Sequence, residues 1–360
     1  MPAPRTSRWC ASWRRRGSRG CRRSRSPRRG RTASKLDLSA HWYRKTALSR
    51  LLWPASAAFG AVVFLRRLLF RLRLLRSQAA DVPVIAIGNL VVGGAGKTPL
   101  ALWMADFLRA KGFSPAIVSR GYGGSVQTPR EATLASDPGE VGDEPVVLAR
   151  RSGCPVWIGP DRLQAIAALR KRHPECNVVI LDDGLQHYRL RRDLEIAIVD
   201  ARGFGNGWLL PAGPLREPPS RLRSVDAVIA HGTEAVKGYA MRLEGEALHR
   251  MTDARERRAL KSFAGERVHA LAGIGDPERF FAALRRHGID VLPHPFPDHH
   301  PYREGDLEFG DALPVIMTEK DAVKCKRFAK PQHWVLPVHA VVEAAFGEWL
   351  LHKLGERKAR

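Results

Sequence analysis

The chain has 360 residues, 44% of them hydrophobic, which is enough for one or two α/β cores and argues against an intrinsically disordered protein. Sixty Lys and Arg against thirty-six Asp and Glu give a net charge of +24. Thirteen of the basic residues and no acidic residue lie in residues 1–35, which leaves +11 for the rest. A basic excess attracts any phosphate, so charge does not distinguish nucleic acid, anionic lipid and a phosphorylated substrate.

Five cysteines are scattered along the chain without CxxC pairs or metal-ligand spacing. This pattern argues against a disulfide scaffold and a zinc module, and it suits a reducing compartment. We therefore expect a cytosolic catalytic body.

Residues 1–35 are rich in Arg, Ser and Gly and have almost no apolar periodicity, so we predict a disordered basic extension. The organised pattern begins near Leu36, which suggests that the true start codon lies downstream of Met1. An RNA-binding arm is the alternative, but Trp9 and Trp13 are the only aromatic residues available for stacking on bases. We expect no nucleic-acid partner.

Residues 36–80 are predicted to be a membrane-docking segment. The run from Leu51 to Leu65 has no charged residue, but its fifteen residues fall short of the roughly 20 that a bilayer span requires. From Leu65 to Arg76 a helix would place leucines on one face and arginines away from it, as in helices that lie on anionic membranes. The leucines of this face are Leu65, Leu68, Leu69, Leu72 and Leu75. An ordinary helix packed on the domain is the alternative.

A phosphate-binding loop follows a β-branched strand at Pro83–Asn89 and opens a helix. Its glycines allow backbone N–H groups to turn toward phosphate oxygens, Lys97 can reach the β- and γ-phosphates, and the Thr98 hydroxyl can bind Mg²⁺. The strict GxxxxGK[ST] pattern has glycine where this chain has Val91. We predict that the chain binds ATP through Val91, Val92, Gly93, Gly94, Ala95, Gly96, Lys97 and Thr98.

A second apolar strand, Asn177–Leu181, ends in Asp182 and Asp183. A carboxylate at this point can orient Mg²⁺ beside the phosphate loop. The alternative is a pair of aspartates that caps a turn. The sequence does not decide which of the two would bind the metal.

Further strand patterns predict the architecture. Runs at 194–200 and 225–230 alternate with helical or loop segments, so we predict a parallel α/β sheet of the P-loop NTPase type over residues 81–260. New strand patterns at 267–275 and 313–321 predict a smaller α/β domain over residues 261–354. The cleft between the two domains would hold a second substrate.

Seven motifs stand out along the chain. They are VGGAGKTP at 92–99, SRGYGG at 119–124, VGDEP at 141–145, LDDGLQH at 181–187, LPAGPLRE at 210–217, DHHPY at 298–302 and TEKDAVK at 318–324. Together they resemble the tetraacyldisaccharide 4′-kinase family, the lipid A 4′-kinases of Gram-negative bacteria. The resemblance runs from about Leu36 to Leu354 and includes the family's lack of the first phosphate-loop glycine. It implies transfer of the ATP γ-phosphate to the 4′-hydroxyl of a tetraacylated glucosamine disaccharide 1-phosphate, at the cytosolic face of the inner membrane.

The resemblance also implies roles for individual residues. Asp143 matches the family's catalytic base, and His299 matches the histidine that supports it. Taken without the resemblance, Asp143 is typical of a helix N-cap ahead of Glu144 and Pro145, and His299 of a loop histidine or half of a metal site.

Four more residues are predicted to bind substrate: Arg120, Gln186, His187 and Arg216. Guanidinium groups bind phosphate in a fork, although a solvated surface is the ordinary environment for an arginine. His187 fits a supporting partner of the aspartate pair or a residue at a strand end equally well. A membrane-attached NTPase that acts as a switch or assembly factor is the competing function, and it has no evident need for a carboxylate that activates a hydroxyl group.

Overall fold

The computed structural model describes residues 41–358, so the predicted basic extension at 1–35 lies outside the described residues. Within these residues, fifteen strands form two sheets. The strands are β1 (Val84–Asn89), β2 (Pro115–Ser119), β3 (Arg130–Ala132), β4 (Val156–Ile158), β5 (Val178–Leu181), β6 (Leu194–Asp200), β7 (Ala227–His231), β8 (Tyr239–Glu244), β9 (Ala247–Arg250), β10 (Arg257–Ala259), β11 (Arg267–Ala272), β12 (Asp290–Pro295), β13 (Val315–Thr318), β14 (His333–Leu336) and β15 (His339–Val342).

Nine α-helices connect or flank these strands in the described part of the chain. They are α1 (Ala47–Leu51), α2 (Trp53–Arg71), α3 (Lys97–Ala110), α4 (Pro138–Val141), α5 (Asp143–Arg151), α6 (Arg162–Arg172), α7 (Pro277–Arg286), α8 (Glu319–Cys325) and α9 (Ala344–Lys358).

The large sheet has nine strands in the order β15-β8-β7-β6-β1-β5-β2-β4-β3. The strands from β8 to β4 run parallel, and the outer pairs β15–β8 and β3–β4 are antiparallel. The central strand β1 is buried along its whole length, as its β-branched sequence predicts. The chain continues from β1 toward β2 on one side and later reaches β6 on the other, so β1 marks the switch point at which α/β sheets bind ligands.

The small sheet has six strands in the order β10-β9-β14-β13-β11-β12. The chain leaves the large sheet after β8, builds the small sheet, and returns to pair β15 with β8. The chain therefore passes from one sheet to the other near residues 245 and 337, because β9 and β10 pair within the small sheet. These strands are short and polar, so their sequence gave no strand pattern.

Helix α2 has one docked side and one exposed side. The Ser56 hydroxyl donates to the Leu209 carbonyl at 2.7 Å, and the Phe70 ring stacks on Tyr188 at 5.7 Å between centroids. Val62 and Phe64 are 65% and 67% exposed. By length and composition α2 is one helix in the described chain that could cross a membrane.

The prediction that this helix continues through Arg76 is wrong. Arg73 adopts a left-handed backbone conformation (φ 60°), and the N–H groups of Leu74 and Leu75 both turn back to the Leu69 carbonyl. The helix therefore ends at Arg71, and Leu72 and Leu75 do not extend its apolar face.

Candidate active site

The phosphate loop lies between β1 and α3, as predicted. Gly93 and Gly96 have φ values of 100° and 96°, a conformation that disfavours residues with a Cβ. Lys97 begins α3, and its Nζ donates to Asn89 Oδ1 at 3.2 Å. Asn89 in turn donates from Nδ2 to the Gly93 carbonyl at 3.1 Å, so the last residue of β1 holds both the loop and its lysine.

Asp182 and Asp183 follow β5, the strand beside β1, and their environments differ. Asp182 is 1% exposed, and neither of its carboxylate oxygens has a hydrogen-bond partner within residues 41–358. Burial raises the pKa of Asp182, and the nearby Glu144 charge raises it further. Asp183 pairs with Lys97 at 3.3 Å and with Arg216 at 3.1 Å. Burial alone would raise the pKa of Asp183, but these two cations bring it below its usual value.

Asp143 and His299 meet although 156 residues separate them. His299 Nδ1 lies 3.1 Å from both carboxylate oxygens of Asp143, which is 3% exposed. Asp143 is not the N-cap of α5, because Gly142 occupies that position and Asp143 is the first helical residue. Its carboxylate accepts a hydrogen bond from the Glu144 N–H at 2.9 Å and also contacts His299. The contact with His299 is called the Asp143–His299 pair below.

The pKa values of the pair move apart. Burial tends to raise the pKa of Asp143, but the hydrogen bond from His299 and the charge of Lys320 bring it below the usual value. The same hydrogen bond raises the pKa of His299 above the usual value, against burial and the Lys320 charge. This arrangement keeps Asp143 ionised, as a carboxylate that accepts a proton requires.

Two lysines beside the pair had no role in the sequence prediction. Both lie on α8, one turn apart, and come from the TEKDAVK motif. Lys324 Nζ is 3.6 Å from Asp143 Oδ2, and Lys320 Nζ is 3.2 Å from Glu144 Oε1. The i, i+4 spacing that places two side chains on one helix face is visible in the sequence, but the partner is not.

The four predicted substrate-binding residues fall into two groups. Gln186 and Arg216 adjoin the phosphate loop, because Gln186 Nε2 donates to the Asn89 carbonyl at 3.2 Å and Arg216 pairs with Asp183. Burial and the Arg162 charge lower the pKa of His187 to about 4, so its imidazole is neutral. Arg120 is exposed and makes no hydrogen bond or ion pair with any residue that the structure describes.

Further groups that the sequence prediction missed support the phosphate loop. Arg202 pairs with the buried Asp200 at 2.7 Å and donates to the Gly94 carbonyl at 2.9 Å. His231 Nδ1 lies 2.9 Å from the Ala95 carbonyl. Asp200 and His231 are the last residues of β6 and β7, and the carboxyl ends of parallel strands were the signal that could have identified them.

A cavity of about 960 Å³ lies between the phosphate loop and the small sheet, and it is called the central cavity below. One wall is the phosphate loop and the start of α3, and the opposite wall comes from the small sheet and its helices. Glu144 and Asp298, the sequence neighbours of the Asp143–His299 pair, also line it. Its volume suits a nucleotide. Lining residues that matter here are Gly94, Lys97, Thr98, Glu144, Arg279 and Lys320.

Three features define a phosphate-loop kinase of the α/β class: a phosphate loop at the switch point, a buried carboxylate at the end of the neighbouring strand β5, and a carboxylate–imidazole pair whose sequence neighbours line the central cavity. Comparison with known proteins gives the family. The model of the tetraacyldisaccharide-1-P 4′-kinase family matches residues 48–355. The chain belongs to this family.

Individual relatives agree. The tetraacyldisaccharide 4′-kinase of Methylobacillus flagellatus is 50% identical, over 88% of this chain and 95% of the relative. The kinase of the same name from Aromatoleum aromaticum is 50% identical, over 88% and 96%. The crystal structure of LpxK from Aquifex aeolicus in complex with ATP superposes with a TM-score of 0.72 at 31% identity, over 86% of this chain and 99% of that one.

The predicted family, fold class and kinase activity are confirmed by these matches, and the alternative of an NTP-driven switch is not favoured. The roles of the individual site residues and the division into domains stay predictions.

Proposed function

We propose that this kinase transfers the γ-phosphate of ATP to the 4′-hydroxyl of a tetraacylated glucosamine disaccharide 1-phosphate. The observation that carries the proposal is the central cavity, which is lined both by Lys97 of the phosphate loop and by Glu144, the residue after Asp143. The phosphate loop therefore shares one cavity with the residue that directly follows the proposed hydroxyl-activating carboxylate. The family match and the ATP-bound relative support the same assignment.

The proposed chemistry needs one proton acceptor. The 4′-oxygen forms a bond to the γ-phosphorus, the bond between that phosphorus and the β,γ-bridging oxygen breaks, and ADP leaves. Asp143 orients the hydroxyl group and accepts its proton, while His299 holds the carboxylate in place through Nδ1. Lys97 balances negative charge on the phosphates.

The residues beside the phosphate loop fit a magnesium ion. Asp182 has two buried carboxylate oxygens without a hydrogen-bond partner among the described residues, whereas Asp183 is held by Lys97 and Arg216. Within residues 41–358 no cluster of three His, Cys, Asp or Glu could hold a metal alone, so nucleotide phosphates would complete the site. Thr98 and Asp182 would hold the ion, which neutralises charge on the β- and γ-phosphates when bound.

The acceptor would reach the cavity from a membrane. Helix α2 packs on the segment that carries Gln186 and Tyr188, and it exposes Val62 and Phe64 on its other side. We assign α2 to the cytosolic face of the bacterial inner membrane, where acyl chains stay in the bilayer while the sugar enters. Arg120, Gln186, His187 and Arg216 are the proposed contacts to the sugar and its phosphate.

Incubation of the purified protein with labelled ATP, Mg²⁺ and the acceptor in mixed micelles tests the proposal. We expect label in the lipid fraction, with transfer that depends on the acceptor. Nucleotide hydrolysis without transfer to the lipid, by protein that is folded, would contradict the proposed function.

A further inference from the structure

Lys320 contacts the sequence neighbours of both members of the Asp143–His299 pair. Its Nζ lies 3.2 Å from Glu144 Oε1 and 3.1 Å from Asp298 Oδ1. Glu144 follows Asp143 at the start of α5, and Asp298 precedes His299 in the loop after β12. One ammonium group therefore links the start of α5 to the loop after β12, the two segments that carry the pair.

A third contact of Lys320 concerns the imidazole itself. Its Nζ is 3.5 Å from His299 Nε2, on the side of the ring opposite to Asp143. Because Nδ1 lies 3.1 Å from both carboxylate oxygens, the ring proton is assigned to Nδ1. The lone pair of Nε2 then faces the ammonium group. The positive charge of that group disfavours a second ring proton on Nε2.

The ammonium group of Lys320 is not what anchors α8. The buried Asp321 does this, because it accepts hydrogen bonds from the Gly273 N–H at 3.0 Å and from the Tyr302 hydroxyl at 3.0 Å. Thr318 caps the helix by accepting from the Asp321 N–H at 3.2 Å. The head group of Lys320 is therefore available for the pair.

We propose that Lys320 is a positioning residue that aligns the Asp143–His299 pair across the two sheets and opposes protonation of His299 at Nε2. The proposal rests on the proposed function, since it assigns a role toward the residue that accepts the hydroxyl proton. Its new content is a role for Lys320 that can be measured in the pH dependence of kcat.

The charged groups around the pair determine the sign of that effect. From α5 come Asp143 and Glu144, from the loop after β12 comes Asp298, and from α8 come Lys320 and Lys324. From the loop after β2, the Tyr122 ring packs on the imidazole with 4.9 Å between centroids. The Lys320 charge lowers the pKa of His299, secondary to the Asp143 hydrogen bond that raises it, and it also lowers the pKa of Asp143. Asp298 acts in the opposite direction on His299.

The test is the pH profile of kcat at saturating ATP, measured with the acceptor in micelles for four variants. The acid limb of this profile is the fall in kcat toward low pH. In Lys320→Met we expect the acid limb to move to higher pH by about one pH unit, with roughly tenfold lower kcat at neutral pH. Lys320→Arg keeps the charge and should keep the limb near its wild-type position. Asp298→Asn should move the limb to lower pH.

The matched control is Lys326→Met, which removes an exposed lysine just beyond α8. Its profile should superimpose on the wild-type profile. Opposite shifts in Lys320→Met and Asp298→Asn support the proposal, because a purely structural loss would not change sign between them.

Three outcomes would overturn the inference. One is an unmoved limb in Lys320→Met with only a raised KM for ATP, which would make Lys320 a ligand of nucleotide phosphate. Another is a shift of the same sign in Asp298→Asn. The third applies if Lys320→Met does not fold. Because Asp298 is exposed, Asp298→Asn should fold, and an unmoved acid limb in that variant would then overturn the inference. Absence of transfer by the wild type would instead count against the proposed function.

Discussion

Asp143 is buried beside His299 but does not line the central cavity. We therefore expect Asp143→Asn to lower kcat by roughly 10²- to 10⁴-fold, the usual contribution of a general base, while ATP binding is retained. Steady-state kinetics with the lipid acceptor, together with nucleotide binding by calorimetry, measures both. Asp106→Asn is the control, because Asp106 is exposed on α3. Equal losses in turnover and ATP affinity would contradict the assignment.

His299 should make stability depend on pH. Its pKa is raised by the Asp143 hydrogen bond, so its stabilising effect is complete below the unfolded value of 6.5 and is lost as pH rises through the higher folded value. His299→Asn should therefore cost more unfolding free energy at pH 6 than at pH 9. Asparagine is chosen because His299 has a φ of 60°, which Asn tolerates.

Urea titrations at the two pH values measure this difference. The exposed His352 on α9 supplies the control, and His352→Asn should show the same unfolding free energy as the wild type at both pH values. If His299→Asn loses the same unfolding free energy at pH 6 and at pH 9, the hydrogen bond to Asp143 does not shift the pKa of His299.

At the scale of elements, α2 exposes a surface that suits a bilayer. Val62→Glu places a charge on that surface and should weaken binding to anionic vesicles roughly a hundredfold, since a charged side chain in apolar lipid costs about 2.5–3.5 kcal/mol. Leu134→Glu is a matched control, because Leu134 is 61% exposed and Val62 is 65% exposed. Vesicle co-sedimentation measures the difference. Equal vesicle binding by the two variants would contradict a membrane-binding role for the exposed side of α2.

Elements with a strong pattern were predictable from the sequence, and those without one were not. The β-branched runs that became β1, β5 and β6 were located within one or two residues, because buried parallel strands need continuous apolar sequence. The end of α2 was misplaced, because a single left-handed residue, Arg73, stopped a pattern that leucine spacing alone would extend. Strands β9 and β10 were absent from the prediction, because strands of three or four residues with polar side chains carry little pattern.

At the scale of the whole molecule, α9 brings the end of the chain back to the phosphate-loop helix. The buried Phe346 contacts the Trp103 ring of α3 at 5.6 Å between centroids. We expect Phe346→Ala to cost about 3–5 kcal/mol of unfolding free energy, the usual cost of removing a buried phenylalanine ring. Chemical denaturation measures it. Glu348→Ala, at an exposed position of the same helix, should change stability little.

The Asp143–His299 pair shows what sequence could not supply at this scale. Asp143 begins helix α5 beside the large sheet, and His299 lies 156 residues later in the loop after β12 of the small sheet, so nothing local links them. Resemblance to the family suggested both residues, but a helix N-cap and a loop histidine were equally good physical interpretations. Only the tertiary structure brings Lys320 and Lys324 beside them, since a lysine in a chain with sixty Lys and Arg carries no individual signal.

The return of the chain to β8 has a consequence for biosynthesis. On the ribosome, β8 is complete at residue 244, but its partner β15 begins only at residue 339, about 95 residues later. At ~5–20 residues per second, the backbone groups along this edge stay without their partner for roughly 5–20 seconds. An open edge recruits other strands, so the newborn protein has a defined interval in which a chaperone that shields β8 would raise its yield.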